Sequence, residues 1–293
     1  MTRTIVAPTV TPFFDKGSST FSYVVKDPDS SHCAVIDSVM EFDHASGHTS
    51  YVSADAIIEY VRSQKLTLDW LIETHVHADH MSAAPYIQQH LGGKIGIGAE
   101  ITVVQQTFGD IYNEGQDFAR NGQQFDQLFK EGDHYHVGEM ACRAMHTPGH
   151  TPACMTHIMS DAVFVGDTLF MPDGGTARAD FPGGDAATLY DSIQKILDLP
   201  ECSRLFMCHD YCPNGRALEY ETTVSAQRAQ NIHVHDGISK EAFVEMRTSR
   251  DKTLGMPQLI LPSIQVNMRA GHFPEPESNG RVYLKLPVNI FDQ

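Results

Sequence analysis

The stretch Thr74-His75-Val76-His77-Ala78-Asp79-His80 places three histidines and an aspartate within six residues. Imidazoles and a carboxylate crowded together are costly to bury unless something binds them, and they are donors for a divalent transition metal. The run Leu68 to Glu73 reads as a strand ending at His75, and Met81 to Leu91 reads as a helix, so the motif occupies a strand-to-helix turn where side chains converge. The plain alternative is a polar turn that happens to hold histidines. Against it, matching donors recur downstream. His150 lies in the tight loop Pro148-Gly149-His150-Thr151-Pro152, Asp167 follows a strand over Ala162 to Val165, and His209 follows a strand from Arg204 to Cys208. Each sits at or just past the C-terminal end of an expected strand, which directs seven donors to one edge of a sandwich.

The elements that must position them follow from the rest of the pattern. Thr9 to Phe14, Ser19 to Lys26 and His32 to Asp37 read as strands separated by turns at Asp15-Lys16-Gly17 and Asp27-Pro28-Asp29-Ser30. Met40 to Ser50 reads as a polar loop in which His44 and His48 are solvated. Ser53 is placed to cap a helix running to about Gln64. A strand is expected over Lys94 to Gly98, a helix over Ala99 to Tyr112, and a loop or lid over Asn113 to Gln124. His134 to Val137, Met140 to Thr147 and Met155 to Met159 read as strands, and Asp185 caps a helix to about Leu199. Helical patterns return over Glu221 to Val234 and Lys240 to Leu254. Segments around Pro257, Pro262, Pro274 and Pro276 end the helical part, and Arg281 to Ile290 is extended. Two sheets packed face to face with helices outside would bury this α/β pattern. The expected division is residues 1–235 as a catalytic domain and 236–293 as a C-terminal extension packed on it.

Composition narrows the function classes. With 293 residues, 41% hydrophobic and 20% charged, the chain can bury a sizeable core. A formal net charge of -16 argues against nucleic acid as a partner, and an anionic substrate would need a local basic pocket. No apolar run is long enough to span a membrane, and Met1 to Pro12 lacks the apolar stretch of a secretory signal. The six cysteines are scattered, which suits reduced thiols in a cytoplasm. Cys208 and Cys212 flank His209 and read as buried inert thiols rather than zinc ligands. His233 and His235 read as surface or packing residues.

The motif H-x-H-x-D-H at His75 to His80, with His150, Gly166-Asp167 and His209, resembles the metallo-β-lactamase superfamily over about residues 8–215. The resemblance implies an αβ/βα four-layer sandwich with a metal site at the sheet edges. In dinuclear zinc members, the residues matching His75, His77 and His150 hold one metal. Those matching Asp79, His80 and His209 hold the other, and the one matching Asp167 bridges. His146 to Pro152 is similar to glyoxalase II and to persulfide dioxygenases. Arg178-Ala179-Asp180-Phe181, then Gly183 or Gly184, Thr188-Leu189-Tyr190, and Cys208-His209-Asp210-Tyr211 look like the persulfide dioxygenase family. That resemblance implies one iron(II) per chain held by His75, His150 and Asp167. His77, Asp79, His80 and His209 then stand behind the metal or serve a second one. The stretch Thr168 to Ala177 departs from the family in length and lacks its usual cysteine. Leu259 to Asn267, with Arg269, looks like a bacterial subgroup.

The implied reaction takes glutathione persulfide, O2 and water to sulfite and glutathione, with no catalytic residue beyond the metal ligands. Glutathione is anionic, so Arg178, Arg247 and Arg250 are candidate contacts, and Tyr211 is a candidate hydrogen-bond donor to substrate. Each also has a plain reading: an ion pair for Arg178, a solvated helical face for the other two, and a packing residue for Tyr211. Two other functions stay open. One is a dinuclear zinc thioesterase of the hydroxyacylglutathione hydrolase type, and the other is a non-catalytic metal- or persulfide-binding sensor. A homodimer is left open.

Overall fold

The computed structural model describes residues 7–290. Strands β1 (Thr9–Asp15), β2 (Thr20–Lys26) and β3 (His32–Ile36) form the expected antiparallel run. The polar segment that follows is not a loop but a hairpin of β4 (Val39–Asp43) and β5 (His48–Ser50), with His44 and His48 exposed. Helix α1 (Val52–Ser63) begins one residue before the expected cap. Tyr51 occupies the cap position without a side-chain bond, and the Glu41 carboxylate from the hairpin accepts from the amides of Val52 at 3.0 Å and Ser53 at 2.7 Å instead.

Strand β6 (Thr67–Ile72) leads into the histidine motif. The residues after the motif form a short strand, β7 (Met81–Ser82), before α2 (Ala84–Leu91). Met81 and Ser82 pair with Met40 and Val39, and Pro85 suits only the first turn of a helix, so the helix starts later than the apolar pattern suggests. Strand β8 (Lys94–Gly98), helix α3 (Ile101–Ile111) and a short strand β9 (Gln127–Phe129) complete the first half. The first sheet has the order β1-β2-β3-β6-β8-β9, parallel from β3 onward.

The second half repeats the plan with β10 (His134–Val137), β11 (Met140–His146), β12 (Met155–Met159), β13 (Ala162–Phe164), α4 (Ala186–Leu197), β14 (Arg204–Phe206) and β15 (Glu221–Thr223), in that sheet order. Asp185 caps α4 by accepting from the Thr188 amide at 2.7 Å. Glu221 to Thr223, read as the start of a helix, instead pairs with β14. The helix α5 (Val224–Gln230) begins only after Thr223, whose hydroxyl accepts from the Ala226 amide. Helix α6 (Lys240–Asp251) lies on α4, and α7 (Ile260–Asn267) lies against β7. Pro262 does not end the helical part. It is the third residue of α7, where a missing amide hydrogen breaks no bond. Arg281 to Ile290 forms no strand ladder.

The core divides into three clusters that define four layers. Val25, Ile36, Tyr135 and Phe164 pack between the sheets. Ile57, Ile87, Val104 and Ile264 cover the outer face of the first sheet, and Leu189, Ile193, Leu205 and Phe243 that of the second. This is the αβ/βα sandwich that the resemblance implied. Among the described residues, no helix is long and apolar enough to cross a membrane.

Candidate metal centre

Residues 73 and 74 are pinned before the motif begins. The Glu73 amide bonds to Gly96 O at 2.9 Å, Thr74 O accepts from the Met155 amide at 2.8 Å, and the Thr74 amide donates to Asp37 Oδ1 at 2.7 Å. Both sheets therefore hold the same dipeptide, and the side chains beyond it project into the edge between them. The second sheet comes close enough because residue 166 is glycine. At φ +51, a Cβ there would lie 2.7 Å from Thr74 Oγ1 and 3.4 Å from His75 Nδ1.

All seven expected donors converge. The ligand atoms of His75, His150 and Asp167 lie within 4.8 Å of one another, with both Nε2 atoms near Asp167 Oδ2 at 3.8 and 3.7 Å. Hydrogen bonds orient the rings. Thr74 Oγ1 donates to Asp37 Oδ2 at 2.8 Å and so accepts from His75 Nδ1 at 3.0 Å, which leaves the His75 Nε2 lone pair facing the site. His150 Nδ1 donates to Arg178 O at 2.8 Å with the same result. Burial, reinforced by His77 and His150, holds His75 far below the usual imidazole range, so it stays neutral.

A second group joins His77, Asp79 and His80 within the same limit. His77 Nε2 lies 3.0 Å from Asp37 Oδ1 and 3.3 Å from Glu73 Oε2. Burial alone would lower its pKa, but Asp37 and Glu73 outweigh that and raise it. Asp79 Oδ2 accepts from Thr20 Oγ1 at 3.1 Å and contacts His80 Nδ1 at 3.1 Å. His209 Nδ1 donates to Ser19 O at 3.1 Å, while its Nε2 stands 3.4 Å from Asp79 and 3.3 Å from Asp167. Burial opposes its protonation, and the two carboxylates override burial. His75 Nε2, His77 Nδ1, His80 Nε2 and Asp167 Oδ1 are buried with no hydrogen-bond partner among the described residues. Several lone pairs aimed at one another without intervening donors suit a divalent cation, so the residues fit a bound metal.

Asp37 and Glu73, which the sequence reading did not single out, are the acids that hold His77. Asp37 lies at the end of the strand expected over His32 to Asp37, which the structure pairs with the motif strand β6, and an acid at a strand end is the one signal the sequence offers for it. Cys208 is buried, with Sγ 3.7 Å from Asp37 Oδ2. Burial and the surrounding carboxylates push its pKa well up, so it remains a thiol. Cys212 is only half-buried. His233 is a packing residue whose Nδ1 accepts from the Thr176 amide at 3.0 Å, and His235 is exposed.

A cavity of about 390 Å³ opens over His150, Asp167 and His209, walled by Phe170, Phe181 and Leu254. Arg178, Arg247, Arg250 and Tyr211 all line it, in different states. Arg178 forks onto Asp180 at 2.6 and 2.8 Å and donates to Gly255 O at 2.6 Å, its guanidinium lying 4.9 Å from the Phe181 ring centre. Arg247 is not on a solvated face. It is buried against Asp251 at 2.6 Å and donates to Thr176 O, while Asp251 also holds the Ala179 amide. Arg250 is exposed. The Tyr211 ring stacks on His209 at 5.7 Å and is 61% exposed.

The family model described as the metallo-beta-lactamase superfamily matches residues 15–209. A protein of Burkholderia pseudomallei named a probable metallo-hydrolase is 54% identical over 291 residues, covering 96% of this chain and 99% of its own. The Dictyostelium discoideum protein named glyoxylase B2 is 46% identical over 278 residues, covering 94% and 95%. The mitochondrial persulfide dioxygenase ETHE1 of Homo sapiens is 29% identical over 261 residues, covering 88% and 87%. Among solved structures, ETHE1 from Myxococcus xanthus superposes with a TM-score of 0.71 at 27% identity, over 90% of this chain and 100% of that one.

Proposed function

Because this chain belongs to the metallo-beta-lactamase superfamily, we propose that it uses its metal centre as a glutathione persulfide dioxygenase, with one iron(II) held by His75, His150 and Asp167. The observation that carries this reading is an asymmetry between the two donor groups. His75 Nε2 and His150 Nε2 face Asp167 Oδ2, and each ring is locked through its other nitrogen. In the other group, Asp79 already accepts from Thr20 and His80, and His209 Nε2 lies between two carboxylates that favour its charged form. Two imidazoles and one carboxylate are the facial set of non-haem iron oxygenases. The likeness to proteins named persulfide dioxygenase adds support.

Iron(II), when bound, supplies open positions for a soft sulfur and for redox exchange with O2. The remaining work falls to this chain. The Thr74–Asp37 relay and Arg178 O keep a proton on the far nitrogen of each ligand imidazole. Phe170, Phe181 and Leu254 make a mostly apolar wall that limits bulk water at the reacting sulfur. Arg250, exposed at the rim, is a cation placed to meet a carboxylate of glutathione. The net conversion takes the persulfide, O2 and one water to sulfite, glutathione and two protons.

One observation favours a second reading. His77 Nδ1 and His80 Nε2 are also buried without partners, so a dinuclear zinc site acting on a glutathione thioester fits the same donors, in line with the relative named glyoxylase B2. The experiment is metal analysis of protein purified without chelators, paired with O2 uptake on adding glutathione persulfide. About one iron per chain with O2 consumed and sulfite formed is expected. Two tightly held zinc ions, with thioester hydrolysis and no O2 uptake, would overturn the dioxygenase reading.

A further inference from the structure

Asn267, the last residue of α7, places its side chain inside the metal-motif loop. Its Nδ2 donates to His77 O and to His80 O, both at 2.8 Å, and its Oδ1 accepts from the Ser82 amide at 2.8 Å. These partners lie 190, 187 and 185 residues away in the chain. All are buried, as is Asn267 itself. An amide that uses both donor hydrogens and its acceptor fixes the plane of the loop it bridges, because its geometry is rigid. The two carbonyls belong to the residues whose Nδ1 and Nε2 stand unpartnered in the site. Rotating either peptide would therefore re-aim a metal-facing imidazole.

The loop is braced from its other side as well. Ser82 Oγ donates to Glu73 Oε1 at 2.7 Å, and Ser82 pairs with Val39 across β4. The turn after α7 is anchored in turn. Arg269 pairs with Glu114 at 2.8 Å, donates to Gln265 O at 2.7 Å and lies 4.4 Å from the centre of the Phe118 ring. The segment leading into α7 supplies Leu254, Gly255 and Pro257 to the cavity wall. One C-terminal stretch thus both walls the cavity and holds the motif backbone.

We propose that Asn267 is a positioning residue that sets the aim of the His77 and His80 donors, so that the affinity and geometry of a cation held by the His77, Asp79 and His80 group depend on the C-terminal segment. This rests on that group taking a cobalt ion beside the one at His75, His150 and Asp167, and not on which reaction the metal serves. It is tested on the full-length protein loaded with cobalt(II), whose visible absorption reports ligand geometry without any turnover. Asn267→Ala should shift the cobalt bands and weaken binding of the cobalt held by the His77, Asp79 and His80 group by roughly 10-fold or more, the range for residues that orient ligands. Asn267→Asp, which keeps the acceptor for Ser82 but turns a carboxylate on two carbonyls, should do the same. Gln265→Ala is the control. Gln265 lies on the same helix but bonds to Leu261 and Lys285, so its loss should lower Tm and leave the cobalt spectrum unchanged.

An unchanged spectrum and affinity in Asn267→Ala overturns the proposal, as does an equal shift in Gln265→Ala. The wild-type protein gives a reading that needs no variant to fold. Linkage requires that cobalt binding further protect the Ser82 amide from hydrogen exchange, and exchange indifferent to cobalt also overturns it.

Discussion

His150 and Arg178 are joined through the main chain: the His150 Nδ1–H donates to the Arg178 carbonyl at 2.8 Å, while the Arg178 side chain turns away to Asp180 and Gly255. One residue thereby orients a metal-facing imidazole with its backbone and ties down the cavity wall with its side chain. An ammonium cannot reproduce the two-pronged bond to Asp180. Arg178→Lys is expected to lower Tm and raise the apparent KM for glutathione persulfide, with metal content near normal. The loss corresponds to about 1.5–3 kcal/mol. Arg250→Ala should raise KM alone, by roughly 0.5–1 kcal/mol, because this cation is exposed. Steady-state O2 uptake and thermal melts on both variants check the pair. A KM effect without a Tm effect in Arg178→Lys would make its guanidinium a direct substrate contact.

The asymmetry between the donor groups predicts an asymmetry in metal loss. His75→Ala, His150→Ala and Asp167→Ala each remove a donor from the group whose lone pairs face one another, and each should abolish iron binding. His80→Ala and His209→Ala should leave most of the iron, since neither belongs to the group formed by His75, His150 and Asp167. Metal analysis of the five folded variants decides it, and equal loss in all five contradicts a mononuclear site.

Much of this architecture is legible along the chain because the donors sit where strands stop. His75, His150, Asp167 and His209 each follow a β-branched or apolar run, and Pro148-Gly149 and Gly166 mark two of those ends. What is not legible depends on partners distant in sequence. Glu41 caps α1 across a hairpin whose acids and glycine read as loop. Arg247 sits on a helix rich in charge and is nevertheless buried, because Asp251 and Thr176 O satisfy it there. Asp37 looks like any strand-terminal aspartate until Thr74 and His77 are seen to share it. Asn267 gives no local sign of its role.

Gly149 is the residue that brings α4 up to the His150 loop. It has φ +135, and a Cβ there would lie 2.3 Å from Leu189 Cα and 2.4 Å from Leu189 N, both backbone atoms that cannot rotate aside. Its carbonyl also accepts from the Asp185 amide at 2.9 Å, the residue that caps α4. Gly149→Ala is therefore expected to cost about 3 kcal/mol of stability through strain and overpacking and to lower metal content by displacing His150. Urea unfolding and metal analysis measure the two effects. A variant with native stability and full metal would show that the helix can retreat freely.

His157 gives a pH dependence separate from the metal centre. The ring lies between the two sheets, 5.1 Å from the Phe129 ring centre, with Nδ1 bonded to the Tyr135 hydroxyl at 2.9 Å and Nε2 without a partner among the described residues. Burial pushes its pKa down to about 4, only partly opposed by Asp37. In the unfolded chain the same ring titrates near 6.5. Above about pH 6.5 neither state holds the proton. As pH falls from 6.5 toward 4, the unfolded state gains a proton that the folded state refuses, so stability declines across that window and levels off below it. At pH 5 the accumulated loss from this one group is about 2 kcal/mol. His157→Leu removes the titration whatever it does to absolute stability. The measurement is the difference in unfolding free energy between pH 7 and pH 5, taken for wild type and variant in urea. Contributions from the ligand histidines are common to both proteins and cancel in the comparison. The wild-type drop should exceed that of the variant by about 2 kcal/mol, and equal drops would mean that His157 takes up its proton without unfolding the sandwich.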